Sequence, residues 1–229
     1  MTENFDRRNF LRTSITVSAG AITMAGLVPK AIAAATCGLT PPQTPGPFYP
    51  GEANMKPVND LTLVPGRPQK ALGQVIYVVG RVVDQSCRPV ANANVEIWQA
   101  CASGKYNSEK DPNTAPLDPN FRYWGETDTD TGGKYLFKTI VPGAYPADPE
   151  INWVRPPHIH VKVSRLGFKE LVTQMYFKGD PLNEKDLILE DIPRADWSRV
   201  IVDFQPAGVG FEPGSLLGNF EISLQKVRG

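Results

Sequence analysis

Alternating hydrophobic and polar residues mark most of the chain after its first third. The β-branched run VIYVVGRVVD, residues 75–84, is typical of a strand. In the following run NVEIWQA, Val95 and Ile97 point to one face. Glu96 and Trp98 point to the other face, which predicts a strand between two different environments. Five further segments predict strands: 126–140 with a glycine turn, 158–166, 170–177, 199–207 and 218–227.

Turns and loops separate these segments. A turn at Gly167 predicts that two of the strands form a hairpin. The loops 104–125, 141–157 and 179–193 are long, and the last has room for a helical turn. Many short strands with frequent turns predict an all-β fold. We expect a β-sandwich of mostly antiparallel strands over residues 75–229.

Residues 34–74 predict an irregular N-terminal arm. Its stretch TPPQTPGPFYPGE contains too many prolines for a helix or a central strand. We expect this arm to wrap the sandwich or to reach a neighbouring subunit.

The first 33 residues predict an export signal. Arg7 and Arg8 precede an apolar run over 15–28, and AIA at 31–33 is a small-residue cleavage site. The paired arginines favour the twin-arginine route, with the general secretory route as the alternative. We therefore expect an exported protein, periplasmic or extracellular, without a stable membrane anchor.

Charge and cysteine content narrow the possibilities. Lys+Arg and Asp+Glu each number 24, so no basic excess indicates nucleic-acid binding. Cys87 lies in a turn and Cys101 follows the next strand, so the two are about 30 Å apart, too far to bridge. Either Cys37 pairs with one of them or all three are free thiols.

Both histidines of the chain, His158 and His160, lie two residues apart in the predicted strand HIHVKVSRL. Residues i and i+2 share a face of a strand, so the imidazoles lie side by side, as a metal requires. Two half-exposed histidines are the alternative. A third histidine does not occur, so further ligands must be oxygen or sulfur donors. Tyr106 and Tyr145 in two loops are candidates, since phenolate suits ferric iron and imidazole also binds iron.

Several motifs occur in order: VEIWQA followed by GKY, PLDPNF, TDTGGKYLFKTIVPGAYP, RPPHIHVKV and LVTQMYFKGDP. Over residues 44–186 they resemble the intradiol ring-cleavage dioxygenases, most of all the protocatechuate 3,4-dioxygenase branch. The helical N-terminal domain of catechol 1,2-dioxygenases is not apparent here. The resemblance implies an oxidoreductase that uses O2 to cleave the ring of a protocatechuate-like catechol to a cis,cis-muconate-type product.

The resemblance also implies a mononuclear non-haem Fe(III) held by two tyrosines and two histidines. Carried over, Tyr145 and His158 match the axial ligands, and Tyr106 and His160 match the equatorial ligands. Tyr123 competes with Tyr106 for the loop position, but Tyr106 follows the preceding strand at the family's spacing. The mid-strand tyrosines, Tyr77 and Tyr135, are interpreted as packing residues.

Two positions near the predicted ligands match other residues of the family's site. Arg155 matches an arginine whose charge stabilises negative charge on the substrate, with a salt bridge to Asp148 or Glu150 as the alternative. Gln174 matches a glutamine that forms a hydrogen bond at the site, with packing in the sheet as the alternative.

Gly46, Pro47 and Phe48 resemble the family's segment that lines the substrate pocket, although they could simply anchor the arm. The sequence identifies no residue that must bind a ring carboxylate, so protocatechuate, catechol and hydroxyquinol remain open as substrates. The export signal suggests a catechol met outside the cytoplasm. The arm and the family together predict an oligomer.

A non-enzymatic alternative must also be considered. VVGRVVDQSCRPVANANVEIW followed by TDTGGKYLFKTIVPGAY resembles transthyretin-like sandwich modules, which act in binding. Such modules need neither RPPHIH nor tyrosines in two long loops. The enzyme is therefore favoured, and the binding module without catalysis is kept as the alternative.

Overall fold

The computed structural model describes residues 36–50 and 56–227. The predicted export signal, residues 1–33, lies outside the described residues. In the described part, no helix combines the length and apolar character needed to cross a bilayer.

The strands are β1 Val75–Asp84, β2 Asn94–Trp98, β3 Trp124–Asp128, β4 Lys134–Ile140, β5 Tyr145–Asp148, β6 Trp153–Arg155, β7 His158–Ser164, β8 Leu171–Phe177, β9 Ile201–Val202, β10 Phe204–Pro206, β11 Leu216–Asn219 and β12 Ile222–Leu224. The helical segments are α1 Leu187–Glu190 and the 3-10 helices Asn183–Lys185 and Arg194–Arg199.

These strands form two five-stranded sheets and a separate hairpin. The first sheet has the order β10-β11-β1-β12, and β4 pairs with β1. The second sheet has the order β3-β2-β7-β8-β9, and β5 pairs with β6. Most pairings are antiparallel, while β11 and β12 pair with β1, and β9 with β8, in parallel. The predicted all-β sandwich of mostly antiparallel strands is confirmed.

Both sheets bury their inner faces in one hydrophobic core. The first sheet contributes Phe137 among others, and the second contributes Val95 and Ile97 of β2. Trp98, also in β2, packs in a different cluster on the opposite face, as the alternation predicts. Trp98 is only 1% exposed, so the outer face of the second sheet is also covered.

The prediction that residues 141–157 form a loop is wrong in part, because a hairpin lies within this segment. β5 and β6 pair in antiparallel fashion, with Tyr145 opposite Arg155 and an irregularity after Pro146. Strands of three or four residues interrupted by prolines contain too few positions for alternation to become visible. The hairpin positions one predicted tyrosine directly beside the predicted arginine.

The two predicted C-terminal strands, 199–207 and 218–227, each break into two. β9 and β10 flank Asp203 and join different sheets, so the chain crosses the sandwich there. β11 and β12 both pair with β1, on either side of Gly80. A Cβ at Gly80 would lie 2.0 Å from the carbonyl oxygen of Phe220, so only glycine permits this approach.

Residues 36–50 of the arm run across both sheets. The amide of Thr40 donates to the carbonyl of Ser223 in β12 at 3.2 Å. The amide of Gln43 donates to the carbonyl of Val172 in β8 at 2.8 Å. Main-chain hydrogen bonds of this kind fix a segment that its prolines keep out of regular strands.

A disulfide between Cys37 and Cys87 ties the start of the described arm to the turn after β1. This resolves the pairing that the sequence left open. Cys101 is buried and free.

Replacing the disulfide by Cys37→Ser with Cys87→Ser is expected to lower the free energy of unfolding by about 2–4 kcal/mol, because the bridge closes a long loop. Urea unfolding of the wild-type and variant proteins measures this difference. Reductant should bring the wild-type protein to the stability of the variant and leave the variant unchanged. An equal effect of reductant on both proteins would contradict this account.

Candidate functional site

Strand β7 directs His158 and His160 away from the core, onto the outer face of the second sheet. The residues that alternate with them belong to the core. Across the ladder, Trp98 and Gln174 lie opposite His160, and Tyr176 lies opposite His158. The Trp98 and His160 rings stack with centroids 4.8 Å apart and planes 4° apart. Both histidines are 2% exposed, so the alternative of half-exposed histidines is wrong.

The loop after β2 brings Tyr106 over this face, and the segment between β4 and β5 brings Tyr145. The loops touch through glycines that follow β2 and β4. A Cβ at Gly143 would lie 2.4 Å from the amide nitrogen of Gly104. Gly104 itself has φ +83, which favours glycine. The short motifs SGKY and PGAY therefore let the two backbones approach closely enough for their tyrosines to meet.

The rings of Tyr106, Tyr145, His158 and His160 form one cluster. Centroids lie 4.9 Å apart for the two histidines and 5.5 Å apart for the two tyrosines. The centroids of Tyr145 and His158 lie 5.7 Å apart, and the Tyr106 hydroxyl lies 3.3 Å from His158 Nε2. Within residues 36–50 and 56–227, His, Cys, Asp and Glu side chains form no group of three suited to a metal. The candidate metal ligands in this cluster are instead two tyrosines together with the two histidines.

The other tyrosines considered are engaged elsewhere. The hydroxyl of Tyr123, the competitor of Tyr106, accepts from the amide of Asp118 at 2.7 Å in its own loop. The hydroxyl of Tyr135 donates to the carbonyl of Phe220 at 2.6 Å. Tyr77 packs edge-on against a phenylalanine of the C-terminal segment. The structure thus brings together the two tyrosines that the motifs selected.

Burial keeps both histidines neutral. It lowers the pKa of His158 and of His160 well below the ordinary value, and the charge of Arg155 acts in the same direction. His158 Nδ1 donates to the carbonyl of Pro156 at 2.8 Å, so its Nε2 carries a lone pair. Nδ1 of His160 is buried without a partner in the described part of the chain. Neutral imidazoles with available lone pairs are the form that binds a metal.

Burial has the opposite effect on the phenols. It raises the pKa of Tyr106 well above the ordinary value, and the neighbouring Tyr145 adds to this. Burial also raises the pKa of Tyr145, while the charge of Arg155 opposes the rise. Buried phenolates need a compensating cation, which a ferric ion supplies. Two neutral imidazoles and two buried phenols therefore fit ferric iron in their chemistry.

Arg155 provides a fixed positive charge beside the rings. Its Nε and Nη2 donate to the two carboxylate oxygens of Asp186 at 2.9 and 2.8 Å, and both side chains are buried. Nη1 lies 3.2 Å from His158 Nε2. Burial opposes the charge, but the hydrogen bonds of Asp186 raise the pKa of Arg155 above its ordinary value. The arginine thus pairs with Asp186 rather than with Asp148 or Glu150, the predicted alternatives.

Gln174 connects Arg155 to the arm. Its Oε1 accepts from Arg155 Nη2 at 2.8 Å, and its Nε2 donates to the carbonyl of Thr44 at 2.9 Å. Gln43 forms a second link between the arm and this sheet, since its Oε1 accepts from the hydroxyl of Tyr176 in β8 at 2.7 Å. The glutamine is therefore a polar link at the site and more than a packing residue of the sheet.

The arm residues Gly46, Pro47 and Phe48 line a cavity of about 290 Å³ beside the cluster, together with Tyr145 and His160. Gly46 has φ +65, and a Cβ there would lie 3.4 Å from His160 Cε1. The predicted pocket-lining segment thus lies at the wall of a cavity that reaches two of the four rings, Tyr145 and His160. A cavity of this size is at the small end of ligand sites.

Sequence patterns missed Asp186 and Gln43. Asp186 caps α1, since its carboxylate accepts from the amide of Leu189 at 3.2 Å. An aspartate before a short apolar run signals a helix start, but nothing in that signal indicates the guanidinium on the other side. Gln43 lies in a proline-rich stretch without periodicity, which carries no signal of its contacts.

Asp186→Asn is expected to lower the free energy of unfolding by about 3–5 kcal/mol, because it leaves the buried charge of Arg155 without its partner. Glu184→Gln is the matched control, since it removes a carboxylate from an exposed pair with Arg194. That control should change stability little. Urea unfolding measures both, and equal losses in the two variants would refute the importance of the buried pair.

Comparison with known sequences identifies the family. A family described as dioxygenase matches residues 45–205. The protocatechuate 3,4-dioxygenase beta chain of Burkholderia cepacia is 43% identical over 182 residues, covering 78% of this chain and 76% of that relative. Catechol 1,2-dioxygenase 2 of Acinetobacter lwoffii is 36% identical over 157 residues, covering 63% of this chain and 53% of that relative. This chain thus spans about half the length of the second relative.

Solved structures agree with this result. The dioxygenase domain of a dioxygenase carbohydrate-binding protein fusion from Streptomyces sp. SirexAA-E has a TM-score of 0.61 at 27% identity, covering 83% of this chain and 100% of that one. Catechol 1,2-dioxygenase from Acinetobacter sp. ADP1 has a TM-score of 0.63 at 26% identity, covering 82% and 63%. These matches favour an enzyme over the non-catalytic binding module. The chain belongs to the intradiol ring-cleavage dioxygenases, a family of oxidoreductases.

Proposed function

We propose that this enzyme uses O2 to cleave the aromatic ring of a catechol between its two hydroxylated carbons, giving a cis,cis-muconate-type diacid. One observation carries the proposal: two histidines and two tyrosines form one buried ring cluster, and Tyr145 and His160 of that cluster line a single cavity together with the buried Arg155. Relatives named for protocatechuate and catechol support the same class of reaction.

The family uses non-haem iron, and we assign a single Fe(III) to Tyr106, Tyr145, His158 and His160. The neutral imidazoles and the close approach of both phenols support this assignment. When bound, ferric iron would supply Lewis acidity that favours deprotonation of the catechol, and the deprotonated ring is electron-rich toward O2.

Tyr145 is the proton acceptor in this proposal. It lines the cavity, whereas Tyr106 packs against Phe48 with ring centroids 4.7 Å apart. A phenolate oxygen at the cavity wall can take a proton from a catechol hydroxyl as the substrate enters. The charge of Arg155 favours that phenolate, since it opposes the rise that burial causes in the pKa of Tyr145.

Arg155 stabilises the negative charge that develops on the substrate ring and oxygens. A guanidinium held in a buried site interacts more strongly with such charge than one in water. Asp186 and Gln174 hold the guanidinium by three hydrogen bonds, so its orientation exists before the substrate binds.

The purified protein is expected to contain stoichiometric iron and to be coloured, because a ferric phenolate absorbs visible light by charge transfer. Addition of catechols should consume O2 and yield ring-opened diacids, measured with an oxygen electrode and mass spectrometry. Tyr106→Phe and Tyr145→Phe should each weaken the visible band and lower kcat/KM at least about tenfold, as loss of metal-site groups does.

Tyr135→Phe is the matched control for both tyrosine variants. It also removes a buried hydroxyl with a hydrogen bond, but one to Phe220 in the core. This variant should keep the visible band and the activity. A colourless wild-type protein with stoichiometric zinc would contradict the iron assignment, and an unchanged band in Tyr145→Phe would contradict the ligand assignment.

We further propose that the protein is exported by the twin-arginine route. The paired arginines of the first 33 residues support this, and so does the Cys37–Cys87 disulfide, because disulfides persist in oxidising compartments.

A reporter fused to residues 1–33 is expected to accumulate outside the cytoplasm, and the change of Arg7 and Arg8 to lysine should keep it inside. Cell fractionation measures both. If the native signal left the reporter inside the cytoplasm, the proposal of export would be contradicted. Export of both the native and the lysine-substituted signal would indicate the general secretory route.

A further inference from the structure

The cavity beside the four rings has a largely apolar wall. Its side chains away from the rings include Pro47, Pro112, Pro146, Ala147, Trp153 and Ile188. A substituent on a bound catechol ring would face this wall, since the two hydroxyl groups are directed to the ligand cluster.

Among the described residues that line the cavity, Arg155 and Asp111 are the charged ones, and both already have partners within the protein. Arg155 forms its two-point pair with Asp186. Asp111 is 7% exposed, and its carboxylate accepts from the amide of Tyr106 at 2.7 Å. The nearest cation to that carboxylate is Lys105 at 3.9 Å, whose ammonium donates to main-chain carbonyls. The wall therefore presents one carboxylate and no uncommitted cation in the described part of the chain.

An anionic ring substituent would lose its hydration here without gaining an uncommitted cation as a partner. Burying an unpaired carboxylate is far more costly than burying a neutral group of similar shape. Trp153 offers a buried indole N–H that has no partner among the described residues. This neutral donor can satisfy an uncharged acceptor, but it brings no charge to neutralise a buried carboxylate.

We propose that this site selects catechols whose ring carries no charged group, and that Ile188 helps to set this preference. The inference rests on the proposed ring cleavage and narrows its substrate class. It also distinguishes this chain from the relative named for protocatechuate, a catechol with a ring carboxylate.

Ile188 lies at the cavity wall in a segment anchored by Asp186, the same residue that pairs with Arg155. It lies in α1, directly after the helix start that Asp186 caps while pairing with Arg155. The preceding residue, Leu187, is 46% exposed. These neighbouring positions allow the same charge to be added at the cavity wall or at the solvent-exposed surface.

The iron-loaded enzyme is tested with protocatechuate and 3,4-dihydroxybenzamide, in which a neutral amide of similar shape replaces the carboxylate. The wild-type enzyme is expected to have a kcat/KM at least about tenfold higher for the amide. Binding of both compounds without O2, followed by tryptophan fluorescence, gives a second readout that does not depend on turnover. Unsubstituted catechol is the reference for ring cleavage.

Ile188→Lys should shift the ratio of the two kcat/KM values toward protocatechuate by about tenfold or more, because an ammonium can pair with the carboxylate. Ile188→Met adds no charge, and Leu187→Lys adds the same charge outside the cavity. Both controls should keep the wild-type ratio. Comparison of ratios cancels the intrinsic difference in reactivity between the two rings.

A wild-type preference for protocatechuate would overturn the proposal, as would an unchanged ratio in Ile188→Lys. Equal shifts in Ile188→Lys and Leu187→Lys would also overturn it, since the effect would not come from the cavity. Failure to cleave any catechol would instead refute the proposed function. In that case the fluorescence titration still decides whether the cavity prefers the neutral ring.

Discussion

The two-residue alternation of the second sheet is the constraint on which both the core and the site depend. One face of its strands carries Val95 and Ile97 into the core, while the other carries Trp98, His158 and His160. That outer face is too rich in aromatic surface to be left to water, so the arm and two loops cover it. Neutral imidazoles and the approach of two phenols follow from this covering.

Covering the outer face also buries a positive charge, which is energetically unfavourable. Arg155 is buried among the rings, and Asp186 offsets its cost by pairing with it at two points. A buried pair of this kind contributes little net stability compared with apolar packing. Its value here is therefore a cation of fixed position and orientation beside the cavity, joined to the arm through Gln174.

The sandwich does not by itself specify ring cleavage, since binding modules share the same architecture. The chemistry belongs to a few side chains on one covered face, and the choice of substrate belongs to the cavity wall next to them. The similarity to a protocatechuate dioxygenase chain establishes the family, but it does not determine which charged residues line that wall. In our proposal, wall residues such as Ile188 therefore influence the choice of substrate without changing the fold.

By itself the sequence determined the long strands and the residue types of the site. Residues 75–84 form β1 as predicted, because a run of ten residues rich in β-branched side chains favours a strand. The spacing of His158 and His160 established their shared face. Only the tertiary structure decided the short hairpin of β5 and β6, the broken C-terminal strands and the pairing of Arg155 with Asp186. Strands of two to four residues are too short to show a period, and a partner 31 residues away is selected by the approach of separate elements, which no local pattern encodes.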